Sequence, residues 1–109
     1  MTSDAKSILR KMEELLAQRY VRRITRKDFL VEWKALRDAL ALTPEYQAFR
    51  LAVIARDGGC CTKCGAATRT VDHIRRVARA PREALQVSNG RLRCENCHAE
   101  RHACLRKSA

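Results

Sequence analysis

Two Cys-x-x-Cys pairs, Cys61–Cys64 and Cys94–Cys97, bracket residues 65–93 in a chain of 109 residues. This pattern restricts the fold more than any other feature. A segment of about 50 residues is near the lower limit of what a hydrophobic core holds together alone. Aromatic residues make up only 5% of the chain, so a large apolar core is not expected. The cysteine-rich half therefore needs a staple. Thiolates at two-residue spacing let the backbone amides of the turn point at the sulfurs, and two such pairs make a tetrahedral, four-thiolate zinc site. Cys61 keeps the spacing that its neighbour Cys60 does not, so Cys60 and Cys104 are read as small core residues outside the ligand set.

Disulfides are the competing use of six cysteines. The run Met1-Thr2-Ser3-Asp4-Ala5-Lys6 has no signal-peptide pattern. We therefore expect an intracellular, reducing setting (bacterial or host cytoplasm), which favours zinc. No apolar run approaches the ~20 residues that span a bilayer, so no membrane role is expected.

Lys and Arg number 23 against 12 acidic residues, a net charge of +11. Such an excess in a small chain points to a polyanionic partner, and the preference for Arg suits the forked recognition of phosphate. Nucleic acid is the expected partner. An acidic protein, or a basic surface with no partner, is the alternative.

Upstream of the cysteines the chain reads as helices. Ile8, Leu9, Met12, Leu15, Leu16 and Tyr20 recur at helical spacing over residues 4–20, more simply as a core-facing stripe than as a docking face. Five of the nine residues from Arg19 to Lys27 are cationic; this turn either holds phosphates or is simply solvated. Thr25 with Asp28 resembles a capping box and opens a second helix to about Leu40, with Trp33 on its core face rather than poised for base stacking. Thr43-Pro44-Glu45 starts a third helix, with Tyr46, Phe49, Val53 and Ile54 as its buried stripe, which ends at Asp57-Gly58-Gly59. Arg69–Ile74 reads as a short strand, 75–86 as a basic loop with one helical turn from Pro81, Ser88-Asn89-Gly90 as a turn, and Cys97 to about Leu105 as a helix.

A zinc site alone would make a binding module. Asp72, His73, Asn89, His98 and His102 push further, since all three histidines of the chain fall in the metal-organised stretch from Cys61 to His102. His98 and His102 are four apart on the expected helix and share a face, which suits a divalent metal. Asp72 adds a hard oxygen, and mixed oxygen and imidazole ligands accommodate Mg, Mn, Ni or Zn. Adjacent strand residues point to opposite faces. Asp72 can thus face a metal while His73 acts as a general base, a role that suits a neutral imidazole. Asn89 before Gly90 also has the plain reading of a turn residue.

Taken together, Arg56-Asp57-Gly58, Cys61–Cys64-Gly65, Asp72-His73-Ile74, Asn89, Leu92 and Cys94–Cys97-His98 resemble the HNH endonucleases of the four-cysteine zinc subclass, over about residues 46–102. The resemblance implies a small α+β fold: a ββα-metal (treble-clef-like, His-Me finger) core over 46–109, stapled by zinc and preceded by a helical extension over 1–45. It implies metal-dependent phosphodiester hydrolysis with His73 as general base, leaving 5′-phosphate and 3′-hydroxyl ends. Asp72 and His98 are implied as ligands of a catalytic metal, and Asn89 as the residue that holds the base-bearing loop. Arg101, three residues after His98, matches a phosphate contact. His102 matches the second metal-binding His of the colicin-type branch. Arg75, Arg76, Arg79, Arg82, Arg91 and Arg93 are expected to contact phosphates without reading sequence.

The expected function is therefore a DNA-nicking endonuclease of low sequence specificity. Two alternatives stand beside it. One is a zinc-stabilised nucleic-acid-binding module, which has no use for Asp72, His73, Asn89 and His98 together. The other is an accessory nuclease of a phage or bacterial DNA-processing machine, in which residues 1–45 recruit the larger protein or a second copy of the chain.

Overall fold

The computed structural model describes residues 3–99. Within them lie three long helices, α1 (Ser3–Tyr20), α2 (Arg26–Ala41) and α3 (Pro44–Asp57), two short strands, β1 (Val71–His73) and β2 (Gly90–Leu92), and a helical stretch over 95–99. Single 3-10 turns occupy Pro81–Glu83 and Val87–Asn89. The architecture is small α+β. It divides into two compact units, residues 1–48 with 75–85, and residues 49–74 with 86–109.

In the first unit α1 and α2 pack as a helical hairpin. The expected stripe on α1 is its buried face: Ala5, Leu9 and Met12 form the core with Leu40 and Ala84, and Ile8, Trp33, Leu36, Tyr46, Val77 and Leu85 pack against it. Trp33 is therefore a core residue. The loop 75–85, basic in sequence, joins this unit through Val77, Ala84 and Leu85. Tyr20, by contrast, extends the helical spacing without sharing the burial, at 88% exposed. Thr25 Oγ1 accepts the N–H of Asp28 at 3.1 Å and opens α2. Thr43 Oγ1 accepts the N–H of Tyr46 at 3.2 Å and donates to Leu40 O at 2.7 Å, which stops one helix and starts the next.

The second unit is built on β1 and β2, which pair antiparallel with Val71 opposite Leu92, Asp72 opposite Arg91 and His73 opposite Gly90. Phe49 and Val53 of α3 are buried, as is Leu92, at 0% exposure. Burying a leucine fully contributes about 2 kcal/mol. The C-terminal turn of α3 is fastened to β2 by polar bonds. Arg56 donates to the carbonyl oxygens of Val87 and Gly90, and Asp57 Oδ2 accepts the N–H of Leu92. The expected strand over 69–74 is shorter, three residues, because only those have partners on the short β2. Cys60 departs from expectation: it is exposed, not a core residue. It bridges Ala67 as an isolated pair, and alternation along extended chain sends the next residue, Cys61, inward. Cys104 lies outside the described residues.

Candidate metal centre

The first cysteine pair sits on a tight turn. Gly65 N–H bonds Cys61 O at 2.9 Å, and Cys61 N–H bonds Ala66 O at 2.7 Å. Gly65 takes φ +80°, while a Cβ added there would meet nothing within 4 Å. Glycine is thus required by the left-handed torsion and not by crowding. The turn is held to β2 by Thr62, whose N–H and hydroxyl both donate to Leu92 O, at 2.9 and 3.0 Å. The chain leaves β2 directly into Cys94, and the helical stretch over 95–99 carries Cys97.

The result is convergence of Cys61, Cys64, Cys94 and Cys97, whose four sulfurs lie within 4.8 Å of one another. Cys64 Sγ and Cys94 Sγ are 3.6 Å apart. A tetrahedron of 2.3 Å zinc–sulfur bonds places its sulfurs about 3.8 Å apart, so the four donors fit a zinc ion. The local electrostatics agree. Backbone N–H groups of Cys64 and Cys94 aimed at the Cys61 sulfur lower its pKa to about 6. The Cys97 thiol, hydrogen-bonded to Cys94, buried, and beside the other sulfurs, is pushed up to about 12. Four thiolates this close repel one another, and a divalent cation removes the conflict.

Beside this cluster the structure brings together three more of the expected residues. Asp72 is 4% exposed. Its Oδ1 lies 3.5 Å from His98 Nδ1 and its Oδ2 accepts from Arg91 Nε at 3.2 Å. His98 is presented by the first turn after the second cysteine pair, its N–H bonded to Cys94 O at 2.9 Å. His73, next in the strand, stacks instead on Phe49, with ring centroids 5.5 Å apart and planes 15° apart. Asn89 is buried, and its backbone carbonyl accepts the N–H of Ile74 at 2.8 Å, which fastens the residue after His73 to the turn just before β2. His102 and Arg101 lie outside the described residues.

Three of the expected phosphate contacts have acidic neighbours. Arg75 pairs with Glu83 at 3.0 Å, Arg82 with Glu13 at 3.2 Å, and the half-buried Arg91 with Asp72. Arg76 and Arg79 are exposed. Arg93 and Arg91 line a cleft with Lys63 and Cys97.

Sequence reasoning passed over two residues of this unit. Phe49 read only as core, yet its ring is the platform for His73. Gly90 read only as a turn residue. Its φ of −107° is open to any residue, but an added Cβ would stand 2.7 Å from Val53 Cγ2 and 2.8 Å from Phe49 Cζ. The spacing of Phe49 and Val53, one helical turn apart and ahead of the cysteines, was the available signal. Compared with protein-family models, with curated proteins and with solved structures, the chain matches none. Among the described residues no helix is long and apolar enough to cross a membrane.

Proposed function

We propose that the chain is a metal-dependent DNA endonuclease of the HNH kind, with the four-cysteine cluster as its structural zinc site. The observation that carries the reading is the 3.5 Å approach of Asp72 Oδ1 and His98 Nδ1, in a unit that orders two antiparallel strands and then a helical stretch. A binding module needs the cysteines but gains nothing from a buried carboxylate held against an imidazole. Hard oxygen with imidazole nitrogen suits a divalent cation, and Asp72 and His98 would hold it. Bound there, such a cation supplies Lewis-acid polarisation of a phosphate.

His73 is the general base. Its imidazole nitrogen takes the proton of a water as the water oxygen attacks phosphorus and the bond to the 3′ oxygen breaks. Phe49 restrains the ring through stacking, and Asn89 restrains the strand end that carries it. Arg91 donates to the Asp72 carboxylate and orients it toward His98.

The test is plasmid nicking with Mg, Mn, Ni or Zn added, beside His73→Ala. Loss of general-base catalysis lowers the rate by about 100-fold or more, with zinc content and DNA binding retained. Cleavage by His73→Ala at the wild-type rate would remove His73 from the role. Failure to nick with any of these metals, with DNA still bound, would favour the zinc-stabilised binding module.

A further inference from the structure

The turn between α1 and α2 carries a cationic surface of a different kind from the arginines above. Arg22, Arg23, Arg26 and Lys27 are all exposed and form no ion pair among the described residues. Arg19, Tyr20, Arg22, Arg23, Ile24 and Thr25 line a cleft. Arg19 Nη1 donates to Ile24 O at 3.3 Å and closes the turn around it. Asp28 is the acidic residue of this turn.

The backbone supplies a second observation. Arg23 N–H bonds Gln18 O at 2.8 Å and Arg22 N–H bonds Arg19 O at 3.1 Å, the pair of bonds that ends a helix in a Schellman motif. Arg22 occupies the left-handed position of that motif, at φ +59°, and is the one non-glycine residue with positive φ among those described. Glycine fits this position without strain, and a long side chain does not. A strained torsion is retained where the side chain has a use. Next to it stands Tyr20, 88% exposed, its ring open beside the guanidinium groups.

We infer that this turn is a nucleic-acid site in its own right: Arg19, Arg22 and Arg23 hold phosphates of a single strand and Tyr20 stacks on an unpaired base. Guanidinium forks match phosphate oxygens, and aromatic rings interleaved with cations bind strands without reading sequence. An acidic protein segment would satisfy the charges but gives Tyr20 no flat partner. The inference rests on the nucleic-acid reading of the proposed function, but not on catalysis.

The experiment uses the full zinc-loaded chain and a fluorescent DNA single strand of about 20 nucleotides, long enough to cover one such site. Binding is measured by anisotropy across a salt series with no added divalent metal. The variants are Arg22→Gly with Arg23→Ala, Tyr20→Ala, and a charge-matched control, Lys6→Ala with Arg10→Ala. Each phosphate contact contributes about 0.7 to the slope of log K against log salt for single strands. The turn variant should lose about 1.4 of slope, and roughly 25-fold in affinity at 0.1 M salt. The control should lose far less. Tyr20→Ala should weaken binding with the slope unchanged. Arg22→Gly alone should raise the melting temperature while weakening binding, which a merely structural role for Arg22 would not produce.

Equal losses in the turn and control variants overturn the site. So does a turn that matters for vesicles of anionic phospholipid, or for a polyglutamate peptide, and not for the strand. A chain that nicks plasmid but binds strands independently of the turn overturns this site and leaves the nuclease reading standing. Turn-dependent binding by a chain that never cleaves supports the site and removes the nuclease.

Discussion

Asp57, the last residue of α3, accepts the backbone N–H of Leu92 on β2 at 3.0 Å, and the neighbouring Arg56 donates to both oxygens of the same carboxylate. One carboxylate thus joins the end of a helix to the strand that leads into the second cysteine pair. Leu92 is fully buried, so its N–H has no water to turn to. Asp57→Ala strands that donor and should destabilise the chain by about 1–3 kcal/mol. Urea unfolding followed by circular dichroism measures it, and a midpoint equal to wild type would show that the bond contributes nothing.

The same pair fixes a pH dependence. Hydrogen bonding to Arg56 and to the Leu92 N–H holds the Asp57 carboxyl below the usual carboxylate range in the folded chain. Above the unfolded pKa the stabilisation is fully present, and it disappears as pH falls through the lower folded value. Wild-type stability should therefore fall more steeply than that of Asp57→Asn between about pH 5 and pH 2. Parallel curves for the two proteins would contradict the assignment.

Metal removal should act on the second unit first. The four sulfurs lie within 4.8 Å of one another, and a metal bound by them would contribute its binding free energy to folding. Purified protein should carry one zinc per chain by elemental analysis, and Cys94→Ser should lose it. Chelation should collapse the amide-proton dispersion of this unit in NMR, while that of the first unit persists. Full zinc occupancy in Cys94→Ser would show that the cluster is not the site.

Gly90 tests the packing of α3 on β2. A methyl group there would press on Val53 and Phe49 at 2.7 and 2.8 Å, and neither can withdraw from a buried position. Gly90→Ala should cost about 1–3 kcal/mol by overpacking. It should also disturb the Phe49 ring on which His73 rests, seen as a shift of the His73 ring resonances in NMR. Wild-type stability with unshifted resonances would show that the helix yields easily.

Much of this was legible in the sequence, for local reasons. Thr25 and Thr43 mark helix starts because capping is satisfied within four residues. The four clustered cysteines are legible because a metal site imposes spacing on chemistry that few residues can supply. The strand at Asp72-His73 was found two residues too long at its start and one at its end, since strand length is set by the partner and not by the residues themselves. Cys60 was misplaced because adjacent cysteines share composition and differ only in the face they present.

What the sequence by itself determined is the set of elements, the four clustered cysteines and the charge: helices whose periodicity and caps are local, and cysteines whose spacing suits a metal. Only the tertiary structure decided which partners those residues have. Asp72 meets both Arg91 and His98, His73 lies on Phe49, and the loop 75–85 packs with the first two helices. It also separated arginines paired with a carboxylate from those of the α1–α2 turn that form no ion pair among the described residues. Charge is a property of composition, but whether a charge is neutralised depends on which atoms come within a few ångströms, and residues distant in sequence meet only when the chain folds.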